Sequence, residues 1–243
     1  YYRTDIYQNL GLEVPNDWLE LIGQLPILQR LGYNFYSPLS SYRGLKPYVA
    51  TLPFFYQWGS SCKYQNQFTG SLYSLDGMST MLSDESYVES LKFMTNLFSI
   101  YNIQEETLSF YNSFRYGTMP IGIANCGVYT SLLIAAPEIS GNWSIALHIG
   151  YNDGENINRY ATAQSQGITM FEASKKKEAA WEYIKWWMST KTQEEFIQRM
   201  YSMYGLEYLW YTANLDAFEV LPIENEHKAV ILTQLRDWSM EAS

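Results

Sequence analysis

The stretch "RYGTMPIGIANCGVYTSLLIAAPEISGNWSIA", residues 115–146, decides how the chain is read. Met119 to Ala124 is a short apolar run of the kind a buried strand needs, and Val128 to Ala135 has the composition and length of a short helix. Between them Asn125-Cys126-Gly127 makes an abrupt polar corner. Pro137 and Gly141 then punctuate the chain before Trp143 to His148, which reads as a second strand. A strand turning sharply into a helix and returning to a strand is α/β grammar.

The same grammar extends outward in both directions. Asn16 is placed to cap a helix from Asp17 to about Leu31, with Trp18, Leu21, Ile22 and Leu25 on one face, Pro26 as a kink and Gly32 as a stop. Residues 33–59 are aromatic, serine-rich and broken by Pro38, Pro47 and Pro53, which predicts irregular connections and then a short helix near Val49 to Trp58. Turn signals at Thr69-Gly70 and Asp76-Gly77 predict a hairpin or loop excursion over 68–81. Ser83 is positioned to cap the clearest helix, with Val88, Leu91, Met94, Phe98 and Tyr101 recurring every three or four residues. A further helical piece ends near Tyr116-Gly117. Beyond a polar loop, Gly167 to Phe171 is strand-like, and Ser174 opens a helix to about Met188 with Ala180, Tyr183, Ile184, Trp187 and Met188 inward. Thr190 and Gln193 fit a capping box for the next helix, and residues 225–238 have the spacing of a last one.

Composition narrows the function. The 243 residues, 47% of them hydrophobic, can bury a real core. A net charge of -9 repels phosphate backbones and anionic lipid, and Lys175, Lys176 and Lys177 form the largest basic cluster, so nucleic acid is excluded as a partner. Cys62 and Cys126 fit no metal-ligand spacing and read as two thiols or one bridge. No window has the apolar length of a membrane span. The aromatic content is 17%, with 22 Tyr and 8 Trp. Flat apolar faces beside polar handles suit surfaces that hold sugar rings, although most such residues belong to the core.

Catalytic motifs are missing. The chain has two histidines, His148 and His227, and no His-Glu-x-x-His, Gly-x-Ser-x-Gly, Walker-type or Gly-x-Gly-x-x-Gly pattern. His148, inside a strand-like segment, reads as a satisfied structural residue, and His227, beside Glu224 and Glu226, as a solvated helix start. No metal site, cofactor or catalytic residue is expected. A glycoside-acting enzyme stays open as an alternative, because two carboxylates facing across a cleft leave no trace in sequence spacing. So does a structural module that binds no small molecule.

Four segments resemble one family. "YYRTDIYQNLGLEVPNDWLEL" (1–21) looks like the place where extracellular solute-binding proteins of ABC importers, family 1, cross from their first lobe into their second. "FRYGTMPIGIANCGVYTSLLIAAPEISGNWSIA" (114–146) is similar to the family's strand-loop-helix segment, "SKKKEAAWEYIKWWMSTKTQEEF" (174–196) to its late helix pair, and "YTANLDAFEVLPIENEHKAVILTQL" (211–235) to the ending of one branch. They keep the family's order over nearly the whole chain.

The resemblance implies an α/β fold of the type II periplasmic-binding-protein kind: three-layer αβα lobes with a mixed sheet and a ligand cleft between two lobes. It implies a receptor for a solute, in first place a carbohydrate or oligosaccharide, held by cleft closure and passed to a membrane permease, in an extracellular or cell-surface, lipid-anchored protein. It also implies that most of a first lobe, a secretion signal and an anchoring cysteine lie outside this sequence. Residues 1–159 are then the second lobe, 160–212 a segment returning to the first lobe, and 213–243 the second-lobe tail. The Asn125-Cys126-Gly127 corner falls at the carboxyl end of the sheet, where open α/β folds bind ligands. Amide groups at the helix start can donate, Asn125 can donate and accept, and Tyr129 offers a stacking face. Sugar-stacking tryptophans occupy this corner in maltodextrin-type relatives; Tyr129 matches one, while Gly127 falls at another. Relatives also place contacts in the loop after Tyr33, which nominates Tyr36, Ser40, Ser41, Tyr42 and Tyr48.

Overall fold

A computed structural model describes residues 1–38, 52–59, 78, 80, 84–103, 109–163 and 165–241. The chain forms two compact units, Tyr1–Ala163 with Ala229–Ser243, and Gln164–Lys228.

In the first unit, helix α1 (Thr4–Leu10) ends at Gly11, whose φ of 63° supplies the left-handed cap that a side chain would resist. Helix α2 spans Trp18–Arg30. Its cap is Asp17, one residue later than the sequence predicts: the carboxylate accepts from the Glu20 amide (2.9 Å) while Glu20 reaches back to the Asn16 amide (2.7 Å). This reciprocal box serves two amides, where Asn16 alone would serve one. Pro26 lies within α2, and the helix continues past it to Arg30.

Strand β1 (Phe35–Tyr36) follows, then α3 (Leu52–Gly59), α4 (Glu85–Ser99), α5 (Phe110–Arg115), β2 (Ile121–Gly122) and α6 (Cys126–Ala135). Helix α4 is capped by Asp84, which accepts from the Ser86 amide, in place of Ser83, which lies outside the described residues. Its buried stripe runs through Tyr87, Ser90 and Leu97, with Leu91, Met94 and Phe98 partly covered. The predicted hairpin at 68–81 likewise falls almost wholly outside them.

Strands β1 and β2 pair in parallel, Phe35 with Ile121 and Tyr36 with Gly122. Tyr2 bridges Ile121 antiparallel on the other side, and Ser144 bridges Tyr2 in turn. The result is a narrow mixed strip. The predicted strand at Trp143 to His148 is thereby reduced to the single bridge at Ser144; the next bridge, Gly150 to Asp17, lies beyond it. An antiparallel hairpin of β3 (Tyr151–Asn152) and β4 (Ile157–Asn158) turns at Gly154, with φ at 94°. Strand β5 (Ala161–Ala163) completes this part of the chain.

The core of this unit gathers Tyr7, Trp18, Leu21, Leu25, Leu28, Phe35, Phe54, Trp58, Leu97, Ile121 and Ile149. Trp18 stacks on Phe54 at 4.8 Å and meets Phe35 edge-on. One fully buried amide ties it together. Gln57 accepts from the Trp18 indole (2.8 Å) and donates to the Ile149 and Tyr160 carbonyls (3.0 and 3.2 Å). A buried amide left unbonded would cost a few kcal/mol, so this satisfaction pins α3 to the two carbonyls.

The second unit holds α7 (Lys177–Met188), α8 (Thr190–Tyr204) and the short α9 (Leu215–Phe218). Ser189 caps α8, accepting from the Thr192 amide, so the predicted Thr190 and Gln193 box does not form. Gln193 instead donates to the Trp187 carbonyl and accepts from the Thr212 hydroxyl. Asn214 caps α9 and also reaches the Met188 carbonyl. The predicted strand at Gly167 to Phe171 makes no ladder among the described residues. His227 is buried at 4% exposure, with its ring 3.7 Å from Glu224, not solvated as the sequence implies; burial moves its titration downward. Helix α10 (Asn225–Asp237) starts in this unit and ends in the first, and β6 (Ser239–Glu241) pairs in parallel with β5.

Candidate functional site

Because β1 and β2 are parallel, the segments leaving them depart from the same edge of the sheet. The Ile123 amide donates to the Tyr36 carbonyl (2.9 Å), so Ser37 and the Asn125 corner start side by side. At the corner Asn125 adopts extended backbone (φ -78°, ψ 172°), and its side-chain oxygen accepts from the Gly127 amide at 3.0 Å. The Val128 amide donates to the Asn125 carbonyl, which also receives the Tyr1 hydroxyl at 2.8 Å. Asn125 and Gly127 are exposed and Cys126 half-buried. Burial pushes the Cys126 thiol upward, so it stays protonated at neutral pH.

Two of the expected ring contacts require correction. Tyr129 is 1% exposed and packs edge-on against Trp143 at 5.3 Å. Three residues past the helix start at Cys126, it falls on the inner face of α6, so its ring is core and offers no stacking face. Tyr36 is 9% exposed, and its ring stacks on Phe110 at 4.8 Å and 14°. Burial raises its hydroxyl titration. Gly122 permits that stack: a Cβ there would sit 2.6 Å from Phe110 and 2.8 Å from the Tyr36 Cβ. Ser40, Ser41, Tyr42 and Tyr48 lie outside the described residues. The structure thus brings Asn125, Cys126 and Gly127 together at the surface and turns both described tyrosines inward.

His148 is half-buried, with Nδ1 2.7 Å from the Ile149 carbonyl and 3.1 Å from the Gln57 side chain. Burial lowers its titration to about 4, which keeps the ring neutral and structural, as its strand-like context predicts. Among the described residues no group of three or more His, Cys, Asp or Glu is arranged to hold a metal ion, and no helix is long and apolar enough to cross a membrane.

Sequence reasoning passed over a concavity elsewhere in the first unit. A cavity of about 350 Å3 is lined by Trp18, Leu19, Trp58, Glu89, Lys92, Phe93, Asn96, Tyr151 and Asn152. Glu89, Lys92, Phe93 and Asn96 occupy one face of α4 by their three- and four-residue spacing. Tyr151 stacks on Trp58 at 4.1 Å, and Phe93 tilts against the same indole at 4.9 Å. The α4 spacing was visible in the sequence; its meeting with Trp58 and Tyr151, distant in the chain, was not.

Residues 1–194 match the model of the bacterial extracellular solute-binding protein family, and the chain belongs to that family. No curated protein matches it. Among solved structures it resembles an ABC transporter solute-binding protein from Thermotoga lettingae bound with α-D-tagatose, at 20% identity and a TM-score of 0.55, over 82% of this chain and 49% of that one. It also resembles one from Agrobacterium radiobacter in complex with ribitol (19%, TM-score 0.57, 97% of this chain and 56% of that one) and the sugar-binding protein MalE of Xanthomonas citri (18%, TM-score 0.57, 97% and 62%). The chain has the α/β fold of periplasmic binding proteins and spans about half to three-fifths of the length of these structures. Its family and these neighbours are binding proteins, not enzymes.

Proposed function

We propose that this chain forms the greater part of the second lobe of a carbohydrate receptor serving an ABC importer. The match of residues 1–194 to the solute-binding family carries the reading, and the sugar and polyol ligands of the structural neighbours support the ligand class. In this reading residues 1–159 and 213–243 belong to the second lobe and 160–212 to the first. A permease is the partner, the protein works outside the cytoplasmic membrane on a lipid anchor, and hinge closure traps the solute. The exposed apolar residues of α7 support the assignment of 160–212 to a lobe that continues beyond this sequence.

The corner contributes hydrogen bonds instead of stacking. Asn125 holds one amide for its own helix and presents its NH2 outward as a donor to a hydroxyl, with Gly127 leaving room for a ring to approach. Calorimetry on the complete two-lobed protein with a sugar and polyol panel tests this. Asn125→Asp keeps the cap and loses the donor, so it should weaken binding about tenfold with little change in melting point. Unaltered affinity in that variant would remove Asn125 from the site, and a panel without any binder would remove the carbohydrate reading.

A further inference from the structure

We propose that the cavity between α2, α3, α4 and the β3 strand is a second, weaker site for a polyol of monosaccharide size. It shares no lining residue with the Asn125 corner, and the proposal does not rest on that corner's role. Its volume of about 350 Å3 reaches the lower range of small-molecule pockets.

Two features give it the chemistry of a hydroxyl-rich guest. The first is a set of unspent polar groups. Glu89 and Lys92, three residues apart on α4, enter no ion pair among the described residues, and the Asn96 side chain makes no hydrogen bond there. A carboxylate accepts, an ammonium donates and an amide does both, so neighbouring hydroxyls of one ring find complementary partners. Opposite charges this close cancel at a distance, so the site selects hydroxyl pattern over net charge.

The second feature is a stiff wall. Trp18 and Trp58 are buried, and the stacked Tyr151 and tilted Phe93 enclose the Trp58 indole, which leaves little side-chain freedom to lose on binding. Across from α4, Asn152 is held by its bond to Asp17 (3.0 Å) and by the Gly154 amide (3.0 Å), so its position is set before any guest arrives. The exposure of Glu89 and Lys92 makes the site weak.

The test uses the full chain with D-glucose, D-xylose and myo-inositol as probes, glycine as a zwitterionic control, and NMR as the readout. At least one polyol should receive saturation transfer and shift the Trp58 indole N–H signal while the Gly127 amide signal stays in place. Lys92→Met and Asn96→Ala, both on the cavity-lining face of α4, should each weaken that polyol about tenfold without changing the melting point. The proposal is overturned by silence from all three polyols, by a glycine response in their place, by a shift at Gly127 without one at Trp58, or by indifference to both substitutions.

Discussion

The two units use similar aromatic side chains in opposite ways. In the first, Trp18, Phe35, Phe54 and Trp58 close on one another and are 5% exposed or less. In the second, α7 carries Trp181, Tyr183 and Trp186, each more than half exposed, and the inward set of this helix shrinks to the half-buried Ala180, Ile184 and Trp187. Trp187 does find company, with Phe196 at 5.3 Å and Trp210 at 5.6 Å. The contrast teaches that an amphipathic period alone does not say whether the apolar face of a helix is covered. An enclosed aromatic cluster is a core; an uncovered one of the same composition is an exposed apolar surface.

That contrast can be broken most forcefully at Tyr129. As a core ring, its removal in Tyr129→Ala should cost about 3–5 kcal/mol in urea unfolding of the first unit. A loss under about 1 kcal/mol would return the ring to the surface and restore its candidacy as a ligand face.

His148 sharpens the comparison through pH. Desolvation of the half-buried ring lowers its titration to about 4 against a reference of 6.5, so the unfolded chain binds more protons between those values. Its contribution to stability is intact above pH 6.5, fades as the pH falls through that window and is gone near pH 4, amounting to about 3 kcal/mol in all. Unfolding free energies measured across that range should show the decline, and His148→Gln should flatten it.

The smallest effect belongs to the second unit. Trp186 touches Tyr183 at 5.5 Å and Trp187 at 6.2 Å, yet is 55% exposed. Trp186→Ala should therefore leave the urea midpoint of this chain almost unmoved, within about 0.5 kcal/mol. A penalty as large as that at Tyr129 would erase the distinction between the two units.

Much of the local structure was legible beforehand, since it depends on nearest neighbours. The corner at Asn125 does open a helix, the stop at Gly32 has φ at 81°, and α2 buries Trp18, Leu21 and Leu25 as its spacing requires. The errors share a cause too. Asp17, Asp84 and Ser189 displaced the expected caps by one residue, because adjacent polar residues differ little in propensity and the tertiary entry angle selects between them. The run at 143–148 was strand-like in composition, but a strand needs an edge to pair with, and only Ser144 meets one.

The family followed from the resemblance of four segments, and the α/β order and the position of the polar corner from local signals, for strand, cap and helix signals act over a few residues. Which way Tyr36 and Tyr129 turn, how Gln57 satisfies three distant partners, and how Trp58, Lys92 and Tyr151 come to line one hollow were decided only by folding. Those outcomes depend on contacts between residues tens of positions apart, and side-chain direction at such a meeting is set by packing, which local spacing does not encode.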